Sequence, residues 1–120
     1  MNKYLLDTHV AIWMIEGNIK GLGEFKDIIL DKRNLLFVSL ASYWEIVIKS
    51  SIGKLKIVDN LKSAIEDSDV NWLDITFEHI DHVRKLPLIH HDPFDRLIVA
   101  QSKVEDIKLL TRDSKMTQYL

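Results

Sequence analysis

The sequence predicts one α/β domain over residues 1–120, with helices in two layers around a central parallel sheet of about four to five short strands. Two observations carry this. Short apolar runs alternate with longer segments of helical periodicity, the pattern of parallel strands joined by crossover helices. No repeat, low-complexity stretch or linker divides a length that supports a single sizeable core.

Tyr4–Leu6 is a short apolar run that Asp7 stops, and Thr8 is placed to cap a helix through about Ile15. Gly17-Asn18 signals a turn. Leu22, Phe25, Ile28 and Ile29 then fall on one helix face, closed by Lys32, Arg33 and Asn34. Leu35–Val38 reads as a buried strand. Ser39 opens a helix to about Ser51, ended by Gly53. Lys54–Val58 reads as a loop with a short extended piece. Asp59 or Asn60 caps a short helix, Leu61–Asp67, and Asn71–Ile75 is a third strand. Thr76 caps a helix holding Phe77, Ile80 and Val83 that stops before Pro87. In His90–Gln101, HHDPFDRLIVAQ, Pro93 takes the first helical position, where its missing N–H costs nothing. Asp92 is then the N-cap and Asp95 the third residue of a helix running to Glu105. Lys108–Leu110 is a fourth strand and Ser114–Leu120 a last turn or helix.

The composition, 47% apolar and 28% charged, is that of an ordinary globular domain. A net charge of −2 leaves no global nucleic-acid footprint. There is no cysteine, which excludes disulfides, thiolate nucleophiles and Cys-based zinc sites. The N-terminal segment is interrupted by Asp7, His9 and Glu16 and reads as no signal peptide. No run approaches the roughly 20 apolar residues of a membrane span, and a cytoplasmic location fits.

Parallel sheets bind ligands outside the carboxyl ends of their strands. Asp7 follows the first strand, Glu45 lies about two turns into the helix after the second, Asp95 starts a helix before the fourth, and Asp113 follows that strand. The alternation brings all four to one edge. Each has an ordinary explanation alone. Asp7 stops a strand, and Glu45 has capping-box spacing from Ser42 and ion-pair spacing to Lys49. Asp92 and Asp95 suit a helix dipole, and Asp113 caps the last turn. Capping does not account for four acids at one edge. Two carboxylates about 5 Å apart repel by roughly 3 kcal/mol at an effective dielectric near 20, so a cluster calls for protons or cations. Oxygen ligands without cysteine suit Mg²⁺ or Mn²⁺, and Mg²⁺ commonly completes its shell with phosphates. That points to phosphoryl transfer or phosphodiester hydrolysis.

His79 and His82 are three apart on a helix, spaced for a polar face or a shared metal. His90 and His91 precede the Asp92 cap, placed to meet a substrate phosphate or the loop backbone. Trp13, Trp44 and Trp72 read as core or interface anchors, with base stacking as the alternative.

Four pieces, YLLDTHVAIW, SLASYWEIVIK with SIGKLKI, LPLIHHDPFDRLIVAQS and LLTRDSKMTQYL, run through most of the chain in one order. In them the sequence resembles the PIN domain, and specifically the small VapC-type toxins of toxin–antitoxin pairs. The resemblance implies a PIN-like fold and a metal-dependent endoribonuclease, using Mg²⁺ or Mn²⁺ and leaving 5′-phosphate and 3′-hydroxyl ends. It implies an acidic quartet of Asp7, Glu45, Asp95 and Asp113, with Asp92 as an additional acid that binds metal or orients the helix. Charge puts Asp7 and Asp95 foremost as ligands. Lys49, Arg96 and Arg112 stand beside the acids as substrate-phosphate contacts or ion-pair partners. The sequence departs from similar ones at His91, where arginine is frequent. It also stops at Leu120, where relatives often add a final edge strand. The resemblance further implies an RNA substrate such as a transfer RNA, a homodimer, and a cognate antitoxin whose peptide crowds the pocket. Trp13, Ile15 and the Phe25–Ile29 face are the expected partner surfaces. Two other classes compete: a phosphotransfer protein using Asp7, and a non-catalytic PIN-like module that binds RNA or protein. Position 9 is His where a dehalogenase-like phosphatase wants Asp, and Leu6 stands where a receiver wants an acid.

Overall fold

In the computed structural model, which describes residues 2–53 and 60–120, strands and helices alternate along the chain. The elements are β1 (Lys3–Leu6), α1 (Thr8–Glu16), α2 (Ile19–Leu22), α3 (Phe25–Leu30), β2 (Leu35–Ser39) and α4 (Leu40–Ser51). They continue with α5 (Leu61–Asp67), β3 (Asn71–Leu73), α6 (Phe77–Val83), α7 (Pro93–Glu105), β4 (Lys108–Leu110) and α8 (Ser114–Thr117). The strands lie in the order β3-β2-β1-β4 and every pairing is parallel. Leu6 sits opposite Val38 on one side and Leu110 on the other, so the carboxyl ends of three strands line up in one row.

The central strand needs an apolar residue on each face, because successive side chains point to opposite sides of a sheet. Leu5 and Leu6 meet that requirement and are fully buried. Leu6 joins Val10, Leu36, Val38, Ile46 and Ile65 on one face. Leu5 joins Ala41, Ile98, Val99, Leu109 and Met116 on the other. This is the three-layer parallel α/β architecture expected. Among the described residues the sheet has four strands.

Several local expectations change. Asp7, not Thr8, caps α1: its Oδ1 accepts from the Val10 backbone N–H at 2.8 Å. The single helix expected around Leu22–Ile29 is two, α2 and α3, broken at Gly23, whose φ of +55° no interior helical residue adopts. The third strand is shorter, ending at Leu73 rather than Ile75. The expected Lys54–Val58 loop and Asp59 lie outside the described residues. Trp13, Ile15, Phe25, Ile28 and Ile29, expected as partner surface, pack half-buried against the core beside Leu6 and Val10. Gly21 is required there, since a Cβ on it would meet the Trp13 ring at 2.8 Å. His79 and His82 do not form a metal pair. His79 is buried, its Nδ1 accepting from the Thr76 N–H in a reciprocal cap and its Nε2 donating to Glu105 at 2.7 Å.

Candidate functional site: an acidic pocket at the carboxyl edge

Three of the helices that begin at or near the carboxyl edge of the sheet are capped by aspartates. Asp7 ends β1 and caps α1, Asp113 caps α8, and Asp92 caps α7 through a 2.9 Å bond from the Asp95 N–H. The same cap that starts α7 therefore fixes the backbone of Asp95. Pro93 at the helix start holds the turn open in the required φ. Glu45 arrives differently, from the buried face of α4.

Asp95 is the hub. One ligand-capable atom from each of Glu45, Asp92 and Asp95 lies within 4.8 Å of the others, and the same holds for His90, Asp95 and Asp113. Asp95 belongs to both groups. Its carboxyl pKa is pushed up to about 6, first by burial and then by the facing charge of Asp92, with Glu45 adding to it. A hydrogen bond from His90 Nε2, 2.8 Å from Oδ2, works the other way.

Asp7 stands at the margin of this hub. It is buried, and both oxygens are engaged, one by Val10 N–H and the other by the Thr111 hydroxyl. Burial raises its pKa above the ordinary value, and the charge of Asp113 adds to the rise. Charge alone ranks Asp7 with Asp95; the geometry brings Asp95 together with Glu45, Asp92 and Asp113 and puts Asp7 beside Asp113. Glu45 is buried between two partners. The Thr8 hydroxyl donates to Oε1 at 2.7 Å and lies 3.0 Å from Ser42 Oγ, while Lys49 Nζ meets Oε2 at 2.8 Å. The Lys49 ammonium pKa is raised, chiefly by that bond to Glu45, with Asp92 and Asp95 contributing.

The basic residues named beside the acids divide. Lys49 faces the pocket. Arg112 is exposed and donates to the Gly21 carbonyl at 3.3 Å, reaching over the α2–α3 turn. Arg96 turns the other way: its guanidinium donates to the carbonyls of Val83, Leu86, Pro87 and His90 and to the Tyr119 hydroxyl. That occupies it as a clamp on the loop between α6 and α7 and removes it from substrate contact. His91 is exposed on that loop. The sequence points to Thr8 as a helix cap rather than as the donor to Glu45, and does not single out Thr111 and Tyr119, which hold Asp7 and the loop. Thr8 and Thr111 each adjoin a strand end, the one signal that points to them.

The donor set fits a hard divalent cation. It is dominated by carboxylate oxygens, and their crowding raises the cost of leaving Asp95 charged without a counter-ion. A cavity of about 520 Å³ lies at the far edge of the sheet, lined by Asn2, Lys3, Tyr4 and Lys108 among others, and shares no residue with this pocket. Among the described residues no helix is long and apolar enough to cross a membrane.

A parallel α/β sheet with carboxylates from four separate segments gathered at its carboxyl edge defines a class: an α/β domain with an acidic pocket at the carboxyl ends of its strands. The family model for the PIN domain matches residues 4–119, and the chain belongs to the PIN domain family. No curated protein matches the sequence. Solved structures share the fold. A VapBC2 structure from Rickettsia felis, bound to a DNA fragment from its promoter, matches at a TM-score of 0.70 and 16% identity. The match covers 98% of this chain and 92% of that one. VapBC-1 from nontypeable Haemophilus influenzae matches at 0.67 and 23% identity, over 98% and 91% of the two chains. A toxin–antitoxin complex from Klebsiella pneumoniae matches at 0.63 and 18%, over 93% and 88%.

Proposed function

We propose that the protein is a VapC-type toxin, a Mg²⁺- or Mn²⁺-dependent endoribonuclease that cleaves a structured RNA such as a transfer RNA. The observation that carries this is Asp95 shared between two three-residue groups of metal-capable atoms. Mg²⁺ or Mn²⁺ held there supplies Lewis-acid chemistry, polarising a scissile phosphate and acidifying a water. Asp7, Asp95, Asp113 and Glu45 would hold it, with Asp92 as an additional acid beside them. Asp7 holds the strand end through Val10 and Thr111 and adds negative field beside Asp113. Lys49 and Arg112 are the cations left to meet substrate phosphates; His91 lies at the loop rim. The fold neighbours are toxin–antitoxin complexes, which supports a cognate antitoxin as partner, and we extend the reading to a homodimer working in the cytoplasm.

The phosphotransfer alternative is disfavoured, because an Asp7 nucleophile would need an oxygen free of Val10 and Thr111. A binding-only module gains nothing from carboxylates that repel one another. The test is RNA cleavage by purified protein with Mg²⁺, with Mn²⁺ and with EDTA, alongside Asp7→Asn and Asp95→Asn. We expect cleavage only with metal and loss of activity in Asp95→Asn. Cleavage that survives EDTA or both substitutions would overturn the reading.

A further inference from the structure

His90 is the only nitrogen donor among the described groups of metal-capable atoms, and its placement is over-determined. Its backbone N–H donates to the Tyr119 hydroxyl at 2.9 Å, as does that of Ile89 at 3.1 Å. Tyr119 in turn donates to the Pro87 carbonyl at 2.8 Å. Arg96 donates to the His90 carbonyl at 3.3 Å and to Pro87 and Tyr119 at 3.2 and 3.1 Å. These bonds pin both sides of one residue and leave its imidazole aimed at the acids, 14% exposed. A loop that merely connected α6 to α7 would not need this much anchoring around a single histidine.

We propose that His90 Nε2 is a metal ligand, so that the His90–Asp95–Asp113 subsite has a mixed nitrogen–oxygen donor set. The Glu45–Asp92–Asp95 subsite is all oxygen. The proposal rests on the reading of the acidic pocket as metal-holding. Two ligands in neighbouring positions around an octahedral ion, each about 2.1 Å from it, stand about 3 Å apart. The His90 Nε2–Asp95 Oδ2 separation is 2.8 Å, so the pair is already at coordination spacing. Exchange of the imidazole tautomer, with the proton on Nδ1, turns the Nε2 lone pair toward the cluster without moving the loop. An imidazole nitrogen shifts preference away from Mg²⁺ and toward first-row transition ions. The mixed subsite therefore selects Mn²⁺ over Mg²⁺.

The test compares native protein, His90→Gln and Asp95→Asn, all without RNA. Glutamine keeps an N–H that can donate to Asp95, so it rescues a residue that only orients the carboxylate and does not rescue a ligand. Calorimetric titration with Mn²⁺ alone and Mg²⁺ alone gives affinities, and pulsed electron paramagnetic resonance on the Mn²⁺ form reads nitrogen coupling directly. We expect His90→Gln to weaken Mn²⁺ binding about tenfold or more, to leave Mg²⁺ within about twofold, and to abolish the nitrogen coupling. Mn²⁺ bound natively without nitrogen coupling overturns the proposal, as does equal weakening of both ions in His90→Gln. Unchanged metal binding in Asp95→Asn overturns the pocket itself, which is a separate failure.

Discussion

Replacing Asp95 with asparagine should make the metal-free protein more stable. Asp95 is held with its carboxyl pKa moved from 3.8 to about 6, a shift equivalent to about 3 kcal/mol of destabilisation when the group is charged. The side chain keeps 18% of its surface in contact with solvent, so screening reduces this to about half. The N-terminal dipole of α7 favours a negative charge by about 0.5 kcal/mol, which leaves a net cost of about 1 kcal/mol. Asparagine Oδ1 can accept the His90 hydrogen bond, and the Asp92 cap uses the backbone of residue 95, so neither is lost. Below about pH 3 the carboxyl is mostly protonated in folded and unfolded chains alike, and the two proteins should nearly coincide. Because the folded pKa is raised, the penalty grows as pH climbs from about 4 through 6 and is complete above 7. Thermal melts in EDTA should therefore show Asp95→Asn gaining about 3–6 °C at pH 7.5 and almost nothing at about pH 3. Saturating Mn²⁺ should reverse the order by stabilising only the native protein. A loss of stability at pH 7.5, or a gain that ignores pH, would show that Asp95 serves the helix rather than the pocket.

Three further outcomes follow from named contacts. Arg96→Met strips donors from four carbonyls and the Tyr119 hydroxyl and should cost about 2–4 kcal/mol in urea unfolding, with lysine recovering less than half. Gly21→Ala forces a methyl against the Trp13 ring and should lower stability by about 1–3 kcal/mol in the same assay. Lys49→Met removes the ammonium that pairs with Glu45 and should tighten divalent-cation binding by about threefold to tenfold in calorimetry; weaker binding would refute its role as competitor.

The parts of this molecule visible in its sequence are those where one residue decides. Pro93 and Asp92 set the start of α7, and the apolar pair Leu109 and Leu110 sets β4, so both elements fall where the pattern places them. Parallel topology then brings Asp7, Glu45, Asp95 and Asp113 to one edge, so their convergence is legible in the sequence. What stayed hidden is what distant chain segments settle. Arg96 stands beside Asp95 in sequence yet points at the α6–α7 loop, where partly buried carbonyls accept from it. His79 reads as part of a polar helix face or of a metal pair with His82, but it is buried, caps its own helix and meets Glu105, 26 residues away. The break at Gly23 depends on a backbone angle that a helical spacing of apolar residues does not report.

The ties to Asp7, Thr111 and Tyr119 have a consequence for biosynthesis. The pocket's edge is closed by a bond between residues 104 apart in the chain, and its histidine loop is pinned by the hydroxyl of residue 119. A ribosome delivers the N-terminal half first, so β1, β2 and Glu45 emerge long before the residues that complete the site. The growing chain thus lacks a complete site until residues 111–119 have been made. A fragment lacking residues 111–120 should fold imperfectly around an open loop, so the site assembles only after those residues have emerged.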